Sequence, residues 1–214
     1  MGRLKDRAIG LAENLRYAEA DKLFQELAKE LPDEPLVVRN LAVVRVGQLE
    51  MQQDAAQRKQ DDQSGNISAE QLVEAIERLL KAEPKEPASH ILASRAARQL
   101  ERLAPESARR LPNPIESLQE AAKLAPNDAA VGFELYQLSS IPPYKNDKNL
   151  VQVGRAALAK AHQQQPRNLT LLLRLLIDQA EAGDPKIAET LETARDVLIP
   201  LGSVVGKIGS STVE

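Results

Sequence analysis

The chain has no cysteine and no tryptophan, three tyrosines, two phenylalanines, and an aromatic fraction of 2 %. Without thiols there is no disulfide framework, no thiolate nucleophile and no cysteine-ligated zinc. With so few aromatic rings, the core of a 214-residue chain must come from Leu, Ala, Ile and Val, within a hydrophobic content of 43 %. That favours close-packed helices over a sandwich or barrel, whose strands draw on aromatic and β-branched residues. The expected fold class is all-α.

No run of about 18 apolar residues occurs, so membrane insertion is not expected. The start, M-G-R-L-K-D-R, lacks the apolar stretch of a signal peptide, and Asp6 stands where a myristoylation motif needs Ser or Thr. A cytoplasmic location is expected, with export after removal of a signal as the alternative. The 28 basic and 31 acidic residues are intermixed and give a net charge of -3. There is no basic footprint for nucleic acid, and a nucleic-acid partner is not expected.

Chemistry-bearing constellations are equally scarce. The two histidines, His90 and His162, have no His or Glu at the spacing of a metal motif, so neither a metal nor a cofactor is expected. His162 falls near the end of a helix, where positive charge is mildly favoured. Ser139-Ser140 and Ser210-Ser211 lack the Gly-x-Ser-x-Gly frame, and no glycine-rich phosphate loop is present. Enzymatic activity is not expected.

What the chain does have is helical periodicity punctuated by proline. In R-Y-A-E-A-D-K-L-F-Q-E-L-A-K-E-L-P-D-E-P, Tyr17, Ala20, Phe24, Leu27 and Leu31 recur at three- and four-residue steps and form one stripe, which Pro32 and Pro35 terminate. A preceding helix over Arg3 to Asn14 carries a facing stripe of Leu4, Ala8, Leu11 and Leu15, and the two make a hairpin. This stretch resembles the second helix of a tetratricopeptide (TPR) unit, a helix-turn-helix repeat of about 34 residues. Asn40-Leu41-Ala42 is similar to the Asn-Leu-Gly of that family, with the small Ala42 where the two helices of a unit touch.

Four further hairpins follow. Pro35 opens a helix through Glu50, and the solvated stretch from Met51 to Asn66 is read as a helix extension or a loop. Ser68 with Gln71 then forms a capping box for a helix carrying Leu72, Ile76, Leu79 and Leu80. Pro87 opens a helix with Ile91, Ser94, Ala97 and Leu100, whose partner starts at Asn113-Pro114 with Glu116 as the capping acid and carries Leu118, Ala121, Ala122 and Ala125. The fourth hairpin takes Val131 to Leu138, breaks at I-P-P-Y-K-N-D-K-N, and resumes up to Pro166. The fifth runs from Leu169 to Ala182, turns at Gly183-Asp184-Pro185, and continues through Ile187, Leu191, Ala194 and Leu198. The closing prolines at 32, 84, 126, 166 and 200 are spaced by 52, 42, 40 and 34 residues, and each excess falls between the two helices of a unit.

The expected architecture is therefore an all-α solenoid, a right-handed superhelix of about five hairpins over residues 1–200, followed by a glycine-rich tail or linker at 201–214. The resemblance implies a non-catalytic scaffold that binds a protein or extended peptide in a concave groove, in the setting of an N-terminal adaptor region of a larger protein. A homo-oligomerising structural module and an enzyme without a recognisable motif are the alternatives. The family's groove positions fall on Lys5 and Ile9, Arg39, Asn40 and Val43, Ile91, Arg95 and Arg98, Phe133 and Gln137, and Leu173 and Ile177. The basic middle and apolar flanks of that set imply a partner with acidic residues. Lys5 and Asn40 match the two-carboxylate clamp some members use for a chaperone tail, but Ile9, Ala88 and Leu92 replace three other clamp groups, which disfavours that ligand.

Overall fold

Helix-forming stripes broken by prolines and caps yield helical hairpins, and the computed structural model, which describes residues 2–58 and 67–197, contains no strand among them. The chain divides into two compact units, Met1–Ala125 and Pro126–Glu214.

The first unit holds α1 (Gly2–Glu13), α2 (Tyr17–Glu30), α3 (Pro35–Arg58), α4 (Ala69–Ala82), α5 (Pro87–Leu103), the single turn α6 (Pro105–Ala108) and α7 (Pro114–Leu124). The stripe of α2 is buried as its spacing requires: Ala20, Phe24 and Leu27 are sealed against Ala8 of α1 and Val37, Leu41 and Val44 of α3, with Tyr17 and Leu31 half-buried at its ends. Full burial of a ring such as Phe24 contributes roughly 1.5–3 kcal/mol. A second cluster forms on the other side of α3, where Val38, Ala42, Val46 and Leu49 meet Leu72, Ile76 and Leu79 of α4 and Ala93, Ala96 and Leu100 of α5. Helix α3 is thus the middle of the unit, apolar on two faces. The stretch 51–58 continues α3, which selects the helix extension over the loop; residues 59–66 lie outside the described residues.

The second unit holds α8 (Ala129–Ser139), a 3-10 turn at Tyr144–Asn146, α9 (Lys148–Gln164) and α10 (Leu169–Ala182), and residues 187–197 form a further helix, α11. A cis Pro142-Pro143 bond lies between α8 and α9. Ala129 and Tyr136 of α8 pack with Leu158 and Ala161 of α9 and Leu171 of α10. The α8/α9 approach is set by glycines: a Cβ on Gly132 would lie 2.8 Å from the Ala157 carbonyl oxygen, and one on Gly154 would lie 2.8 Å from the Ser139 Cβ and 3.2 Å from the Leu135 carbonyl.

The helix starts follow their caps. Ser68 and Gln71 close a reciprocal box, with the Gln71 N–H donating to the Ser68 hydroxyl at 3.2 Å and the Ser68 N–H donating to the Gln71 side chain at 3.0 Å. Asn113 accepts from the Ile115 N–H at 2.8 Å ahead of Pro114, so Glu116 contributes first-turn charge and the cap closes one residue earlier than a capping box would. Asp128, Asp147, Asn168 and Asp184 cap α8, α9, α10 and the turn into α11 in the same way.

Three readings of the sequence need correction. Leu15 is not part of the α1 stripe, because α1 ends at Glu13 and Leu15 turns into the left-handed region at φ 59, with 57 % of its surface exposed. The bonds from Leu15 N–H to Ala12 O (3.0 Å) and from Arg16 N–H to Leu11 O (2.9 Å) are those of a Schellman end, which reverses the chain one residue before the stripe would close. Gly183 fills the same role after α10 at φ 64. Leu191 is likewise off its stripe at 53 % exposure, while Thr190 and Ala194 are buried, so the helix over 187–197 turns the 190/194 side inward and leaves Leu191 on its flank. At His162 burial pushes the imidazole pKa down, so the cost of desolvation outweighs any benefit from the helix end. Leu198, Pro200 and the tail at 201–214 lie outside the described residues.

Each feature has a measurable consequence. Leu15→Gly removes the left-handed penalty of a side chain that packs little and should stabilise the protein by about 1 kcal/mol in chemical denaturation, whereas Gly183→Leu should destabilise it by a similar amount. Gly132→Ala, which on an open helix would gain about 1 kcal/mol, should instead lose roughly 1–3 kcal/mol because a backbone carbonyl occupies the space. For His162 the unfolded state, with a pKa near 6.5, holds its proton more tightly than the fold does. Stability should therefore fall as pH drops through about 6.5, and His162→Phe should flatten that slope in denaturation midpoints read against pH.

Candidate functional site

In the first unit the positions expected to form a groove lie on α1, α3 and α5. Lys5 and Ile9 are half-buried on α1, Ile9 resting on the Phe24 cluster. On α3, the two buried faces leave a third, and along it Leu36, Val43 and Met51 are exposed by 40, 39 and 36 %. These residues share a stripe with Asn40 and Gly47, since steps of seven and eight residues return to nearly the same side of a helix. The stripe is shallow at Gly47, where the Tyr17 ring fills the space a side chain would need, with the ring Cζ 2.6 Å from the position of a Cβ. Asn40 turns back and donates to the Leu36 carbonyl at 2.8 Å.

The arginines expected to meet a partner are engaged with neighbouring helices. Arg39 grips Glu83, at the end of α4, through a two-point fork at 2.7 and 2.6 Å, and lies 3.6 Å from Glu86. The Glu83 hydrogen bond, ahead of the cost of burial, raises the Arg39 pKa. Arg95 of α5 forks onto Glu50 of α3 at 3.0 and 2.6 Å. Arg98 is half-buried one turn on and takes no part in these two forks. Ile91 is half-buried on the same helix.

Two further arginines, which periodicity did not single out, do comparable work. Arg45, 7 % exposed, donates to Asp21 of α2 at 2.9 Å and to the Gln71 carbonyl of α4 at 2.7 Å, joining three helices through one guanidinium. Arg110 bonds Glu77 at 3.2 and 2.7 Å and also Glu70. Glu77 of α4 is therefore part of a bridge to the turn before α7. The only advance signal for Arg45 is an arginine within the apolar run V-V-R-V.

In the second unit, Phe133 is half-buried against the Tyr136 cluster and Gln137 is half-buried one turn on. Leu173 and Ile177 of α10 are each 46 % exposed. Desolvation raises the Tyr136 phenol pKa, and Asp178 of α10 adds to that shift.

The histidines form no centre. His90 Nε2 lies 2.8 Å from the Pro84 carbonyl, a contact that fixes the turn before α5. Among the described residues, no group of three or more His, Asp or Glu side chains could hold a metal ion, and no helix is long and apolar enough to cross a membrane.

No family model matches the chain, and no curated protein matches its sequence. Solved structures do match. A thermophilic TPR protein from Thermus thermophilus, TTC0263, superposes with a TM-score of 0.63 at 17 % identity, covering 92 % of this chain and 89 % of that one. The MamA RS-1 ArsTM double mutant gives 0.58 at 16 % identity over 94 and 96 % of the two chains. MamA from Desulfovibrio magneticus RS-1 gives 0.53 at 15 % over 100 and 97 %. At such identities the likeness is one of fold, and it extends along nearly the whole of each chain. With the buried α2 stripe, the small-residue contacts and the capped hairpins, it shows the chain to be an all-α solenoid of tetratricopeptide-like repeats.

Proposed function

We propose that the chain is a non-catalytic binding scaffold whose first unit holds an extended peptide or a partner helix along the open face of α3. The observation that supports this reading is the exposed row of Leu36, Val43 and Met51, set on a helix already buried on its other two faces. Covering such a row removes apolar surface from water on a frame that need not reorganise. The ionic forks of Arg39 with Glu83 and Arg95 with Glu50 hold flanking helices against α3. A carboxylate on the partner meets Arg98 and Lys5 directly, and must displace Glu50 to reach Arg95. The acidic preference is thus secondary to the apolar contact. The setting proposed is a repeat domain that serves as an adaptor region of a larger protein.

The test begins with capture from native lysate and mass-spectrometric identification, followed by titration calorimetry of the identified partner against variants. Val43→Glu places a charge in the middle of the row and should weaken that partner by roughly 1–3 kcal/mol while leaving the circular dichroism melt unchanged. Arg98→Ala should lower the salt dependence of binding more than its strength at high salt. A partner held equally well by the Val43 variant would show that binding uses another face.

A further inference from the structure

On α10 the residues Thr170, Leu173, Ile177 and Ala180 are all exposed. Their steps of three, four and three residues make a straight seam of the coiled-coil kind, with Thr170 and Ile177 in one core position and Leu173 and Ala180 in the other. Leu171, Leu172 and Gln179 are buried within the unit and Leu175 and Leu176 are half-buried, so the seam is a separate face pointing away from the fold. Arg174 and Glu181, both exposed, each follow a seam residue on the same flank, directly after Leu173 and Ala180. Seven residues, about 10 Å along the axis, separate the two charges, too far for them to pair with each other.

This pattern is complementary to itself in one orientation. When two such helices run antiparallel about a two-fold axis near residues 177 and 178, the same flank of each faces the other, and each Arg174 meets the Glu181 of the opposite copy. In that register Ile177 packs against the small Ala180 of the other copy in two symmetric layers, and Leu173 covers the ends. A parallel pairing would instead set this charged flank against the flank bearing Leu169 and Leu176, where no charge answers it.

We infer that the α10 seam is a self-association surface, and that its occupant is the α10 seam of a second copy of this chain in an antiparallel, two-fold arrangement. Two exposed large aliphatics per copy make a weak contact, so the dimer forms reversibly with concentration. The charges set orientation and partner choice. The face lies on the second unit and is independent of the α3 row in the first.

Sedimentation equilibrium of the full chain over a range of concentrations tests this. The wild type should move from the 23.4 kDa chain mass toward twice that value. Arg174→Glu opposes like charges across the axis and should raise the dimer dissociation constant at least tenfold, and Glu181→Arg should do the same. The double variant R174E/E181R should restore the wild-type constant, which a general loss of folding could not produce. Ile177→Asp should give monomer, with an unchanged circular dichroism spectrum as the check on folding. A wild type that remains monomeric throughout would overturn the proposal and leave the seam to a different protein. A dimer insensitive to Ile177→Asp, or a double swap that fails to recover, would overturn it by placing the contact elsewhere. Val43→Glu should leave the mass unchanged, so failure of this inference and failure of the α3 reading give different results.

Discussion

Everything in this fold depends on how closely its helices can approach. A core with almost no aromatic volume cannot fill wide gaps, so its density has to come from bringing backbones together over small side chains. Ala20, Ala42, Ala93, Ala96 and Ala97 are buried at helix crossings in the first unit, and Gly132 and Gly154 let α8 and α9 meet where a Cβ would strike a carbonyl or a serine. Phe24 fills the centre of the first cluster, and Tyr17 lies over the bare backbone of Gly47. The same economy makes α3 two-faced, because a short stripe on each side suffices to bind a neighbour.

Close approach fixes separation but leaves sliding and rotation of the hairpins weakly specified, since Leu, Ala and Val surfaces interdigitate in several registers. The arginine forks supply the missing directionality. Arg39 reaches Glu83 and Arg95 reaches Glu50, each across 44 or 45 residues of sequence, and the fork geometry tolerates little displacement. Arg45 is the strongest case, because its guanidinium is buried and is answered by both a carboxylate and a backbone carbonyl from two different helices. The half-exposed forks contribute little net stability by comparison, and their effect is on alignment.

This division explains what can be read in the sequence. Prolines, caps and stripes are local signals, and they locate the hairpins: Ser68 with Gln71 and Asn113 with Pro114 stand at helix starts observed in the structure, and Asp184 with Pro185 forms the turn that leads into α11. Leu15 and Leu191 depart from their stripes because hydrophobicity alone suggests burial, whereas the Schellman reversal after Glu13 is decided by backbone geometry, and α11 is turned so that Thr190 and Ala194 face inward. His162 departs from expectation because burial of an imidazole depends on neighbours across the hairpin. The groove positions illustrate the same limit more sharply. Offsets from the repeat put Arg39 and Arg95 on the first helices, but no offset could show that Glu83 and Glu50 fill their forks.

The filled forks change what such a surface can discriminate. A free arginine pair would attract any acidic segment, with an affinity dominated by charge and lost with salt. Where the guanidinium already holds an internal carboxylate at 2.6 Å, an incoming carboxylate exchanges one ion pair for another, and only the difference between them contributes. That exchange also releases α3 from its neighbour, which adds a cost to binding by charge alone. On the reading proposed above, selectivity would then rest on shape and apolar fit along the exposed Leu36, Val43 and Met51, with electrostatics acting through Arg98 and Lys5 at the margin. On a protein whose net charge is only -3, such a face, framed by satisfied ion pairs, would disfavour non-specific acidic ligands while leaving the row open to a partner that covers it whole.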